Sequence, residues 1–293
     1  MWVLYALGSA VFAGLTAILA KIGMQGTDSH LGTALRTVVV LVFSWLMVFV
    51  KGVYQPLGEI PGKTMLFLCV SGICTGASWL CYFKALQLGD VNKVTPIDKS
   101  STIMTMVLAM VFLGEPVTLL KTVCIVVIGL GTWLMIEKKR VAGISVTADQ
   151  SKAGGSAWLW YAFGSAVFAS LTAIFGKVGI KDINSDLGTA LRTGVVLVMA
   201  WLLVLMLGKQ KQIKKIDKKS WWFILFSGIA TGLSWLCYYR ALQDGPASVV
   251  VPIDKLSIVL TVVFAGIVLK ERLSKRAFAG LALIVGGTLG LLI

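Results

Sequence analysis

Charge is scarce in this chain. Only 14% of its 293 residues are charged against 57% hydrophobic, and the mean hydropathy is +0.89. That balance excludes an ordinary soluble domain and points to a polytopic membrane protein. Histidine occurs once, at His30, a position expected to be in a loop, and no metal-ligand types cluster at close spacing. There is no activated serine or cysteine pattern either, so neither enzymatic activity nor a metal or cofactor is expected. The five cysteines (Cys69, Cys74, Cys81, Cys124, Cys237) fall in apolar segments and read as reduced packing residues. No basic leader precedes the first apolar stretch, so the first helix is expected to be its own insertion signal. Acidic residues are outnumbered 13 to 27 by lysine and arginine, for a net charge of +14. In a soluble protein that excess would suggest nucleic acid as a partner. Here the cations fall in loops between apolar runs, where orientation in a bilayer accounts for them and no nucleic acid is implied.

What the chain has in quantity is itself, twice. A shift of 156 positions aligns Tyr5–Gly23 with Tyr161–Gly179 at fourteen of nineteen positions, and makes Leu31–Thr37 identical to Leu187–Thr193 and Ser78–Tyr82 identical to Ser234–Tyr238. Such self-similarity marks a duplication. Each half holds five apolar stretches of bilayer length: 2–22, 31–50, 64–84, 93–113 and 118–136, then 157–178, 187–207, 221–240, 248–269 and 274–293. They are expected to be helices, because lipid offers the backbone no partner. The chain thus divides into a first repeat (1–136), a linker (137–156) and a second repeat (157–293). Five crossings per half make the second repeat enter from the opposite face, an inverted repeat. Alternate loops carry 17 lysines and arginines on one face and 6 on the other. The positive-inside rule then puts the linker in the cytoplasm and both termini outside. The run Lys209–Lys219 reads as an anchor against anionic lipid.

Charged residues inside such spans are a functional signal, since each costs roughly 2.5–3.5 kcal/mol on insertion scales. The chain places Pro96-Ile97-Asp98-Lys99 in span four and repeats it as Pro252-Ile253-Asp254-Lys255 in span nine. Arg36 and Arg192 start spans two and seven at matching depth. The economical expectation pairs Arg36 with Asp98 and Arg192 with Asp254, leaving Lys99 and Lys255 as surplus positive charge. A plain helix-to-helix lock is the other reading of each pair, and snorkelling to the interface the other reading of the lysines. Asp98, Ser101 and Thr105 fall on one helical face, as do Asp254, Ser257 and Thr261. Trp79 with Tyr82, and Trp235 with Tyr238, are candidate cavity walls or packing residues. Pro96 and Pro252 are expected in first turns, Gly72/Gly76 and Gly228/Gly232 at close helix contacts, and Glu115 and Glu271 as loop anchors, with gating as the second reading.

Two five-span halves, Ala85-Leu86-Gln87 closing span three, and Phe112-Leu113-Gly114-Glu115 closing span four resemble the EamA-type transporters of the drug/metabolite transporter superfamily. The resemblance covers essentially the whole chain. It implies an all-α membrane protein whose ten transmembrane helices form two five-helix inverted repeats around a central cavity, working by alternating access. The Pro-Ile-Asp-Lys form departs from the amino-acid exporters of this type, so their substrate is not carried over. The expected function is secondary transport of a small anionic or zwitterionic metabolite across the cytoplasmic membrane. Lys99 and Lys255 would attract its charge, and the arginines, aspartates, hydroxyls and aromatics named above would complete the site. A cation or drug exporter working through the two aspartates is the alternative, with a channel or scaffold behind it. Expected partners are the substrate, membrane lipid, and either a coupling proton or an exchanged metabolite. A carboxylate paired with arginine keeps its charge, which favours exchange or facilitated movement over proton coupling.

Overall fold

The computed structural model describes residues 1–23, 27–88, 91–135, 157–268 and 274–293. The expected linker 137–156, Glu271, and the side chains of Lys21, Lys93 and Pro96 lie outside the described residues. The described chain is helical: α1 Trp2–Gly23, α2 Ser29–Val50, α3 Gly62–Leu88, α4 Val91–Lys99, α5 Ser101–Phe112, α6 Leu119–Met135, α7 Ala157–Gly179, α8 Ser185–Met206, α9 Lys218–Asp244, α10 Ala247–Lys255, α11 Ser257–Val268 and α12 Lys275–Gly290. Short side chains start several of them. Asp28 accepts from the His30 and Leu31 amides, Asn184 from Asp186, Asp217 from Ser220, and Ser274 from Ala277.

Seven described segments are long and apolar enough to cross a membrane, the last being α10 and α11 together over Ala247–Phe264, and Leu119–Met135 is a shorter apolar helix. The body is apolar outside and polar within. Val42 is 64% exposed and Phe49 62%, whereas Ser9, Ser44, Ser71, Ser165 and Thr193 are fully buried. Many of the buried hydroxyls donate to a carbonyl one turn back, as Thr75 does to Ser71 and Thr193 to Thr189. This distribution fits a chain solvated by lipid.

The halves interlock through contacts that recur with the halves exchanged. Along α1 and α9, the Ser9 and Ser234 hydroxyls lie 3.3 Å apart, as do those of Thr16 and Thr231. Along α3 and α7 the same ladder reads Ser78 with Ser165 and Thr75 with Thr172, again at 3.3 Å. The numbering rises in one helix as it falls in the other, so each pair is antiparallel. Helices α2 and α8 are antiparallel too, tied at their ends by Lys51–Asp186 (2.7 Å) and Lys209–Asp28 (3.4 Å). The glycine pairs serve packing, as expected. A Cβ on Gly228 would lie 2.6 Å from Val39 Cβ, and one on Gly72 would lie 2.7 Å from Val195 Cβ.

Spans four and nine are not continuous helices: each breaks just after its lysine. At the first break Ser100 donates its amide to Ile97 at 3.1 Å, and at the second Leu256 donates to Ile253 at 3.0 Å; both are tight i−3 turns. Pro252 lies inside α10 rather than in its first turn, where it offers no amide to the carbonyl of Ser248 and weakens the segment ahead of the break.

Candidate functional site

The breaks put Lys99 and Lys255 at the C-terminal ends of two short helices, α4 and α10, that belong to different halves. Both lysines line one cavity of about 470 Å³, together with Thr95, Thr102, Thr132, Thr288, Ser257 and Thr261. Its remaining wall is mostly aliphatic, from Ala13, Ala17, Ile128, Ile258 and Ile284. A second compartment of about 290 Å³ shares Ala13 and Lys255 with the first, and is lined by Trp79, Trp235, Tyr238, Arg192 and Asp254. The structure therefore gathers most of the residues singled out in the sequence around two adjoining compartments.

The expected arginine–aspartate pairs are not formed. Asp254 Oδ1 accepts from Ser9 Oγ at 2.6 Å, and Asp98 Oδ1 accepts from Ser165 Oγ at 2.8 Å. The reason is packing. Asp98 sits on α4, which packs on α7, and Asp254 on α10, which packs on α1, so each carboxylate meets the other half's serine. Arg192 turns instead into the contact with α3. Its Nε donates to Ser71 Oγ at 2.9 Å, a terminal nitrogen donates to Thr75 Oγ1, and the guanidinium lies 5.3 and 5.0 Å from the ring centroids of Trp235 and Tyr239. The preference for exchange that rested on arginine-paired carboxylates falls with those pairs.

Charge is unevenly compensated at the cavity. Lys255 Nζ stands 3.6 Å from Asp254, while among the described residues no carboxylate lies within 4 Å of Lys99. The expected polar stripe is divided by the helix break. Ser257 and Thr261 reach the cavity, whereas Thr105 is 2% exposed and donates to the Ser101 carbonyl of its own helix. Tyr82 packs edge-on against Phe83 at 5.6 Å, and neither it nor Arg36 lines either compartment. Ser9, Ser165, Ser71 and Thr75 were not singled out from the sequence. A signal was present, for each is a hydroxyl in an apolar span that recurs unchanged at the 156-residue shift.

An all-helical body, apolar outside and enclosing a basic cavity, is the build of a membrane transport protein. The chain belongs to the EamA-like transporter family, which it matches over residues 1–137 and 156–293. It is 45% identical over 134 residues, 46% of its own length and 95% of the relative's, to an uncharacterized transporter in the cobO 3′ region of Sinorhizobium sp. Identity is 29% over 122 residues, 42% of this chain and 86% of the relative, to an uncharacterized protein of Methanocaldococcus jannaschii. One crystal structure of a protein superposes on 100% of this chain and 98% of its own with a TM-score of 0.74 at 17% identity, a likeness of fold alone.

Proposed function

We propose that the protein is a secondary transporter that carries a small anionic or zwitterionic metabolite across the cytoplasmic membrane by alternating access. The observation that carries this reading is the convergence of Lys99 and Lys255 on one cavity, with no carboxylate within 4 Å of Lys99 among the described residues. A positive, largely aliphatic chamber would draw in an anionic group and hold an apolar body. The rings of Trp79, Trp235 and Tyr238 and the Asp254 carboxylate offer an adjoining place for a cationic or aromatic part.

In this reading ten helices cross the membrane as two inverted repeats, with α4–α5 and α10–α11 as broken spans of the kind that build transporter sites. The ion pairs support it, because ten alternating crossings put Lys51 with Asp186 on one face and Lys209 with Asp28 on the other. The cation counts support a cytoplasmic linker with both termini outside. Anionic lipid would meet Lys209–Lys219, and the co-substrate is an exchanged metabolite or a proton, with the serine-held aspartates as its carriers.

The test is binding and transport by purified protein in vesicles, comparing wild type with K99M/K255M. Stabilisation by anionic or zwitterionic metabolites, and transport of the same compounds, are expected to vanish in the double variant. Normal transport by that variant would sink the lysine assignment. The position of Asp254 beside three aromatic rings favours one second reading, a cation exporter. It predicts stabilisation by cationic dyes that survives K99M/K255M and is lost in D98N/D254N.

A further inference from the structure

We propose that Glu115 and Lys177 form a latch that holds the cavity shut at one end and so sets the membrane face to which it opens. The inference rests on the transport reading above. Gly114, at φ 66°, ends α5 in a left-handed turn that only glycine adopts freely, and the Glu115 amide folds back to Ala109 at 3.4 Å. This turn directs the side chain out of the first half and onto the start of α10 in the second. There Oε1 accepts the Ala247 amide at 2.6 Å and Oε2 the Ser248 amide at 3.0 Å. Lys177, near the end of α7, reaches Oε1 at 3.4 Å and donates to the Gly245 carbonyl at 2.6 Å. The Glu115 side chain is 8% exposed and that of Lys177 21%.

Two properties make this more than a cap. The carboxylate satisfies amides that the helix itself leaves without partners, at the end of the helix dipole that favours negative charge. Water can take over these bonds when the tie parts, so its net strength is a modest fraction of their gross energy, enough to bias the closed state without locking it. The tie also holds the lever that carries the site. From Ser248 to Lys255 is seven residues of α10, about 10 Å of helix, with the latch at one end and Asp254-Lys255 at the cavity end. None of the latch residues lines either compartment. The 156-residue shift maps Glu115, Lys177 and Gly245 onto Glu271, Lys21 and Gly89, so the sequence keeps each group twice.

The experiment reads sidedness and needs no substrate. In a cysteine-free background reconstituted in vesicles, Val117→Cys, exposed beside Glu115, marks the latch face, and Thr132→Cys reports the cavity. In the parent, a membrane-impermeant maleimide should label Thr132→Cys chiefly from the face opposite Val117→Cys. E115Q should raise its labelling rate from the latch face roughly tenfold, the bias expected when one charge-assisted tie is lost from a two-state equilibrium. E115D, which keeps the charge, should return the ratio toward the parent. An unchanged ratio in folded E115Q, or equal labelling from both faces in the parent, overturns the latch. Should E115Q fail to fold, K177M must shift the ratio in the same direction, and its failure to do so also overturns it. Failure of the transport reading is a separate result, namely that wild-type protein in vesicles moves none of the anionic, zwitterionic or cationic compounds tested.

Discussion

Arg192 and Arg36 hold equivalent places in the repeat but not equivalent surroundings. Arg192 is 3% exposed, bonded to Ser71 and Thr75 and faced by the rings of Trp235 and Tyr239. Arg36 makes no hydrogen bond or ion pair among the described residues. Phenylalanine stands at 83 where the second half has Tyr239, and Ser227 donates to the Thr16 carbonyl just as Ser71 does to that of Thr172, but among the described residues it accepts nothing from Arg36. R192L should therefore lower stability by about 2–4 kcal/mol, by removing the hydrogen bonds to Ser71 and Thr75 and the ring contacts, and R36L by clearly less; thermal unfolding of purified protein in detergent measures both. Glu115 gives a pH prediction. Burial pushes its carboxyl up, but hydrogen bonds from Ser248 and Ala247 and the charge of Lys177 outweigh burial and leave it below the ordinary value. Its contribution is present above the ordinary carboxyl range and is lost as pH falls through the lowered native value. The stability gap between wild type and E115Q should hold from about pH 8 to about pH 5 and close only below about pH 4. At this scale the sequence reading gave the charges the wrong partners. Opposite charges at equal depth make the cheapest pair on paper, but which neighbour a carboxylate meets depends on helix rotation, and only the repeated hydroxyls pointed to that.

Hydrophobic runs are legible because lipid enforces them, and most helices fall within a few residues of the stretches expected. The breaks after Lys99 and Lys255 were not legible, because a single tight turn barely disturbs a run of apolar residues. It takes hold where α10 is pinned between α1 and α5. Close contacts were legible from spacing alone, as Gly228 and Gly232 illustrate. Gly228→Ala should cost roughly 1–3 kcal/mol by overpacking, since its new Cβ would meet Val39. Val39→Ala keeps the offending Cβ and should recover little of that loss, whereas Val39→Gly removes it and should recover more, and a double-mutant cycle of unfolding free energies would expose the coupling. Additive losses would mean that α2 and α9 do not meet as described.

For the whole molecule, the ion pairs at the two ends of α2 and α8 translate into a topology test. Gln55→Cys, just beyond Lys51, and Lys214→Cys, beyond Lys209, should react with an impermeant reagent from opposite faces of the membrane. Reaction from the same face would refute ten alternating crossings. The proposed inversion rests on the odd number of expected spans and the uneven loop charge, whereas the interlocking of the halves had no signal in the sequence. The hydroxyl ladders carry one more consequence. Ser9 meets Ser234 as Ser165 meets Ser78, so each half contributes both sides of the same rung. The seam is self-complementary in the manner of a two-fold dimer interface. A gene encoding one half would already specify every group needed to build both ladders from two copies of its product, one turned over relative to the other. Fusion would then add a tether and the freedom for two once-identical surfaces to diverge, as the arginines and the Lys209–Lys219 loop have done.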